Sequence, residues 1–207
     1  MPGRRGTPPP RDRPGAHVSD LPFDPHARYW PRYCEENVWH WCEALAGTGR
    51  DALVLVVASP SGRVAVFRQR AARPPGGAVA WDYHVLLLLG SGAGWLAVDP
   101  DSTLPCPCAA GRYLDESFPD LPERLSAYRP RFRVIDAATY REALASDRRH
   151  MRDGRGGFFS DPPPWPPVGR GHNLHRLVDV RAQWIGDILD IAGLRARLGL
   201  RARTSAP

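Results

Sequence analysis

Three residues of this chain have the types that a thiol nucleophile requires: Cys34, His84 and Asp99. A thiol attacks as the thiolate, so it needs a base to take its proton, and the base needs an acid to orient it. Cys34 opens the segment Tyr33-Cys34-Glu35-Glu36-Asn37-Val38-Trp39-His40-Trp41-Cys42-Glu43. Val38, Trp41, Cys42 and Leu45 recur there at three-to-four-residue spacing, which predicts an amphipathic helix. Pro31 and Arg32 stand before it, and Gly47 and Gly49 stop it. Glu35 and Glu36 fill the first turn, where the positive end of the helix dipole favours acids, and the same field favours a thiolate at Cys34. A lone cysteine on a helix is more often core than nucleophile, so this segment alone does not assign the chemistry.

The base and its orienting acid come from one predicted hairpin. Trp81-Asp82-Tyr83-His84-Val85-Leu86-Leu87-Leu88-Leu89 reads as a central strand, Gly90 to Gly94 as a loop, and Trp95 to Asp99 as the returning strand. If Leu89 faces Trp95, Asp99 falls one residue from the position opposite His84, and a one-residue bulge in the glycine loop would put both on one face. A core histidine and a strand-end turn former are the plain readings of these two residues, and their near-opposition favours the catalytic one. The remaining histidines are worse placed. His40 is six residues along the same helix as Cys34, and His26, His150, His172 and His175 fall in loops or just before the last helix.

These residues need a scaffold. Ala52 to Ala58 is a β-branched run of strand length; Pro60-Ser61-Gly62 turns it, and Val64, Val66 and Phe67 predict a return strand in a hairpin. Residues 100–130 show scattered prolines and no sustained period, Arg131 to Ile135 alternates as a strand, and Ala137 to Ala145 predicts a short helix. Ser146 to Gly171 is a long loop around Pro162-Pro163-Pro164-Trp165-Pro166-Pro167, read as a rigid surface crossing rather than a wall of the site. Leu177 to about Leu200 predicts one helix. A helix, a run of antiparallel strands and a mixed region make an α+β domain rather than alternating βαβ units.

The 207 residues suffice for one domain with a real core, and 43% hydrophobic content is globular. We expect a disordered Pro/Arg-rich tail over 1–20, a single catalytic domain over 21–201 and a flexible C-terminus over 202–207. The charge of +6 comes from arginine alone, since lysine is absent. A composition-biased, high-GC genome is the simplest cause, and much of the charge lies at the chain ends, so we read it as solvated tails. No helix-turn-helix or stacking platform accompanies the arginines, which argues against nucleic acid. Cys34, Cys42, Cys106 and Cys108 are too sparse for a disulfide scaffold and lack zinc-ribbon spacing, which argues for a reducing cytoplasm and no metal. The longest apolar run, Val85 to Leu89, is too short to span a bilayer. The glycines at 90–94 lead into a strand rather than a helix and make no phosphate loop.

Five blocks are familiar in combination: Tyr-Cys-Glu-Glu-Asn-Val-Trp at 33–39, Trp-Asp-Tyr-His-Val at 81–85, Val-Asp-Pro-Asp-Ser-Thr-Leu-Pro at 98–105, Phe-Arg-Val-Ile at 132–135 and Ser-Asp-Arg-Arg-His-Met at 146–151. In their order and spacing, with the weaker Asn173-Leu174 and Arg197-Leu198-Gly199, the chain resembles the protein N-terminal glutamine amidohydrolase family from about Tyr29 to Gly199. The resemblance implies a monomeric papain- or transglutaminase-like α+β fold, no cofactor, and a triad of Cys34 as nucleophile, His84 as base and Asp99 as orienting acid. It implies removal of the side-chain amide of an N-terminal glutamine, giving glutamate and ammonia through a Cys34 thioester, with helix-start amides facing the oxyanion. The absent lysine, the tail and the arginine-rich stretch 148–155 depart from the familiar pattern. Binding the free α-ammonium calls for a carboxylate, for which Glu35, Glu36, Asp82 and Asp147 are candidates, while Trp81 and Tyr83 could wall the pocket. Two rival readings stand beside this one: another Cys-His-Asp enzyme (a peptidase, a transglutaminase or an internal-glutamine deamidase) and a non-catalytic basic binding protein.

Overall fold

The structure, a computed structural model, describes residues 21–202 apart from 93. The tail expected over 1–20 lies outside the described residues, as does the expected flexible C-terminus except Ala202. The elements run α1 (Cys34–Leu45), β1 (Ala52–Ala58), β2 (Val64–Val66), β3 (Val79–Trp81), β4 (His84–Ser91), β5 (Gly94–Val98), β6 (Cys108–Ala109), α2 (Ala110–Ser117), a 3-10 turn (Glu123–Tyr128), β7 (Arg131–Asp136), α3 (Ala137–Ala143), a 3-10 turn (Arg149–Met151), α4 (Leu174–Val178), β8 (Asp187–Leu189) and α5 (Ile191–Arg197). The fold is α+β. Its six-stranded sheet has the order β6-β5-β4-β1-β7-β8, and every pairing is antiparallel.

The central strands are apolar on both faces because both faces are covered. Val54, Val56, Val85, Leu87, Leu89, Val98 and Ile135 point to one side, where Val38, Trp41, Cys42 and Leu45 of α1 meet α3 and α4. Leu53, Leu55, Val57, Leu86, Leu88, Ala97, Phe132 and Val134 point to the other, against α2, α5 and the small β2–β3 sheet. Period-two alternation sorts the residues between the two cores, and each fully buried Leu, Val or Phe contributes roughly 1.5–3 kcal/mol. The apolar stripe expected of the Cys34 helix is therefore the face that docks α1 on the sheet.

Four expectations need correction. The strand over Val64–Val66 pairs with β3 and not with β1, because β4 and β7 occupy both edges of β1. The strand expected over 81–89 is two strands: Asp82 turns out to pair with Arg63 at 3.0 Å, and Tyr83 turns in. Residues 100–130 hold α2, whose Ala110, Tyr113, Leu114 and Ser117 are buried on one stripe. The single helix expected over 177–200 is broken. Arg133, fully buried, gathers the carbonyls of Leu177 and Ile185 at 2.9 Å and of Asp179 and Ala182 at 2.8 Å, which pulls that segment out of helical pairing. Gly186, at φ +69°, passes so close to β7 that a Cβ there would lie 2.2 Å from the Val134 carbonyl, and Asp190 starts α5 afresh by accepting from the Gly193 amide at 2.8 Å.

Candidate active site

Cys34, His84 and Asp99 converge at one end of the sheet, each at the end of an element. Cys34 is the first residue of α1, His84 the first of β4, and Asp99 directly follows β5. The ladder pairs Leu87 with Val98 and Gly90 with Trp95, so Asp99 falls across from Leu86, a register one residue from the expected one. His84 and Leu86 share a face, so Asp99 is a diagonal neighbour of His84 on that face, and no bulge is needed. α1 arrives over the opposite face and brings the thiol to the open end of the sheet, where His84 can meet both partners.

His84 Nε2 lies 3.0 Å from Asp99 Oδ2, a short contact with the ring N–H bent off the line. The Cys34 thiol is a hydrogen-bonding neighbour of the same imidazole, which has Nδ1 as its other nitrogen. Asp99 is held from three further sides. It accepts from the Tyr113 hydroxyl at 2.6 Å and from Gln69 Nε2 at 3.3 Å on Oδ2, and from the Asp101 amide at 3.1 Å on Oδ1. These bonds carry the electrostatics. Burial opposes the charge on Asp99, but His84, Tyr113 and Gln69 outweigh it and hold the carboxyl below its usual range. Burial likewise opposes charge on His84, yet Asp99 and Cys34 hold the ring protonated well above its ordinary value. Burial pushes the Cys34 thiol up, and His84 pulls it back. An oriented, protonatable ring between an ionised acid and a thiol can run thiolate attack and leaving-group protonation. The amides of Cys34 and Glu35 stand at the helix tip ahead of those of Glu36 and Asn37, which bond back to the Tyr33 carbonyl.

The other expected site residues separate cleanly. Glu35 and Glu36 are both fully buried. Glu36 is closed off by Arg148, whose Nε and Nη2 donate to its two oxygens at 2.8 and 2.7 Å, and by Trp165 Nε1 at 2.9 Å. Arg148 also donates to the carbonyls of Pro163 and Trp165. The polyproline stretch is thus fastened to the first turn of the Cys34 helix and is more than a surface crossing. Glu35 instead faces the thiol: its Oε2 lies 3.9 Å from Cys34 Sγ and accepts from the Tyr83 hydroxyl at 3.0 Å. Trp81 stacks on His84 with ring centroids 6.4 Å apart and donates to Gln69 Oε1 at 3.2 Å. Asp82 and Asp147 lie apart: Asp82 is exposed on Arg63, and Asp147 pairs with Arg149 at 2.5 Å.

Tyr113, Gln69 and His150 were missed by the sequence reading. His150, set aside there as loop-bound, places Nε2 3.2 Å from Glu35 Oε1. No local signal marks Tyr113 or Gln69, which reach the site only through folding, whereas His150 stands in the block at 146–151. One ligand-like group occurs among the described residues: His84, Asp99 and Asp101 bring one donor atom each within 4.8 Å of one another. Those carboxylates are already committed, Asp99 to Tyr113 and Gln69 and Asp101 to the Tyr29 hydroxyl. Among the described residues no helix is long and apolar enough to cross a membrane.

The N-terminal glutamine amidase family matches residues 29–198, a span that contains every residue of the site. The protein N-terminal glutamine amidohydrolase of Homo sapiens is 35% identical over 152 residues, 71% of this chain and 74% of that protein. Its counterpart from Drosophila ananassae is 42% identical over 153 residues, with the same coverage of 71% and 74%. A match that runs from the strand of chain before the thiol helix to the last helix leaves no part of the site outside it: the chain belongs to the N-terminal glutamine amidase family.

Proposed function

We propose that the protein hydrolyses the side-chain amide of an N-terminal glutamine in peptides or proteins, leaving glutamate and ammonia. The observation that carries this reading is the meeting of Cys34, His84 and Asp99 at one sheet end, in a chain of this family. Cys34 as thiolate attacks the carboxamide carbon, a C–S bond forms, and the oxyanion faces the amides at the start of α1. His84 gives its proton to the departing nitrogen, the C–N bond breaks, and ammonia leaves a thioester on Cys34. Water, its proton taken by His84, then adds to the thioester; the C–S bond breaks and the thiolate returns. Asp99 stays ionised and keeps the ring oriented, with Tyr113 and Gln69 holding Asp99 in place.

The antiparallel sheet with a thiol on the first turn of a packed helix supports the papain- or transglutaminase-like assignment. Residues 21–201 act in this reading as one catalytic domain, a cytoplasmic monomer that needs no metal or other cofactor. The four free cysteines support the cytoplasmic part of that reading. The test is ammonia release from peptides that begin with glutamine, set against the same peptides N-acetylated or with glutamine inside. Release confined to the free N-terminal glutamine is expected. Equal release from blocked peptides would instead assign a general glutamine deamidase, and peptide-bond cleavage a peptidase.

A further inference from the structure

We propose that Glu35 reads the free α-ammonium of the substrate, and that its occupation switches Cys34 on. This rests on the reading of the site as an N-terminal glutamine amidohydrolase.

Glu35 is a fully buried carboxylate with an unfinished shell. Oε2 accepts from Tyr83, whereas Oε1, equally buried, has no aligned donor: His150 Nε2 is 3.2 Å away but off the line. A buried carboxylate oxygen left this way is costly, and native proteins leave few of them without a purpose. The other candidate acids are committed or distant. Glu36 is bidentate on Arg148, Asp101 is bonded to Tyr29, and Asp82 and Asp147 pair with surface arginines.

The span also fits. In glutamine the α-nitrogen is four bonds from the carboxamide carbon, roughly 4–5 Å away. With that carbon about 3–3.5 Å from the sulfur, as attack requires, the ammonium can lie on a carboxylate that stands close to the thiol. Glu35 Oε2 stands 3.9 Å from Cys34 Sγ.

The position has an electrostatic consequence. Cys34 is faced by His84 from β4, by Glu35 on its own helix and by Asp101 after β5. Burial is the main reason its thiol sits high; His84 pulls it down, and the charges of Glu35 and Asp101 push it up again. A carboxylate against the nucleophile thus opposes thiolate formation in the empty site. An arriving ammonium neutralises that carboxylate, so the thiolate is favoured when a free N-terminus is bound. Recognition then appears in kcat as well as in KM.

The experiment compares the whole protein and its Glu35→Gln variant on two peptides: one beginning with glutamine, and the same peptide lacking only the α-amino group. The wild type should prefer the free amine by about 30-fold or more in kcat/KM, and Glu35→Gln should cut that preference to about threefold or less, the scale of one buried charge pair. Without peptide, alkylation of Cys34 by iodoacetamide should move to lower pH in Glu35→Gln, which loss of packing alone would not produce. If Glu35→Gln does not fold, Glu35→Asp carries the test, because withdrawing the carboxylate by about 1.5 Å should reduce the preference severalfold. An unchanged preference, or alkylation at unchanged pH, overturns the inference while leaving the deamidation reading intact. A wild type that releases no ammonia from the glutamine peptide overturns the reading, and the inference falls with it.

Discussion

Two buried polar clusters hold this molecule together at different places, and they are finished to different degrees. Around Arg133 each guanidinium nitrogen is bonded: the fully buried side chain donates to the carbonyls of Leu177, Ile185, Asp179 and Ala182 at 2.8–2.9 Å. Around Cys34 several bonds are not. Glu35 Oε1 lacks an aligned donor, the His84 ring N–H is bent away from Asp99, and His150 Nδ1 is buried without a partner. A saturated cluster can only hold its segment, here the chain between α4 and β8. An unsaturated one keeps lone pairs and protons in reserve for something that arrives, at some cost in stability. The same contrast recurs within a single helical turn, where Glu36 is closed by Arg148 and Trp165 while its neighbour Glu35 accepts from Tyr83 and the Cys34 thiol on Oε2 and keeps Oε1 without an aligned donor.

Substitutions should divide along this line. Cys34→Ala should lower kcat for ammonia release by ~10⁴-fold or more, with little change in the urea midpoint; substantial residual turnover would remove the thiol from the chemistry. Arg133→Met should do the reverse. It strips partners from at least four carbonyls and should lower the unfolding free energy by about 3–5 kcal/mol, with activity tracking the folded fraction. A melting curve that matched the wild type would show that the cage does not hold the fold.

Tyr113→Phe removes one donor from Asp99 and should cost about tenfold in kcat, the worth of a hydrogen bond to a charged group. It also has a pH signature. The folded Asp99 carboxyl is held below its ordinary 3.8, so its contribution is full above 3.8 and is lost as pH falls through the folded value. His84 is held above its ordinary 6.5, so its contribution is full below 6.5 and is lost as pH rises through the folded value. The pair therefore contributes most to stability between about pH 3.8 and 6.5. Tyr113→Phe should move the acid limb of both stability and rate to higher pH, whereas a mere packing defect would lower the plateau and leave the limb in place. The smallest effect belongs to Asp82→Asn. This exposed partner of Arg63 should change kcat/KM by less than about twofold, as surface ion pairs contribute little. A larger loss would bring Asp82 back to the site.

By itself the sequence determined the parts that local pattern controls. The apolar stripe of α1 set which face docks, the branched runs at 52–58 and 84–89 set the central strands, and the blocks around Cys34, His84 and Asp99 pointed to three residues that the fold brings together. The hairpin register missed by one residue, because glycines at 90–94 do not say where a turn closes. Tertiary structure alone decided the rest. It separated Glu35 from Glu36, since only folding brings Arg148 and Trp165 to one and the thiol to the other. It brought in Tyr113 and Gln69, which no spacing connects to Cys34, His84 and Asp99, and it set His150 against Glu35. It broke the helix expected over 177–200, because Arg133, more than forty residues earlier in the chain, captures that segment's carbonyls. Periodicity reports what a segment can bury, while the partners of a buried charge are long-range contacts with no imprint on nearby sequence.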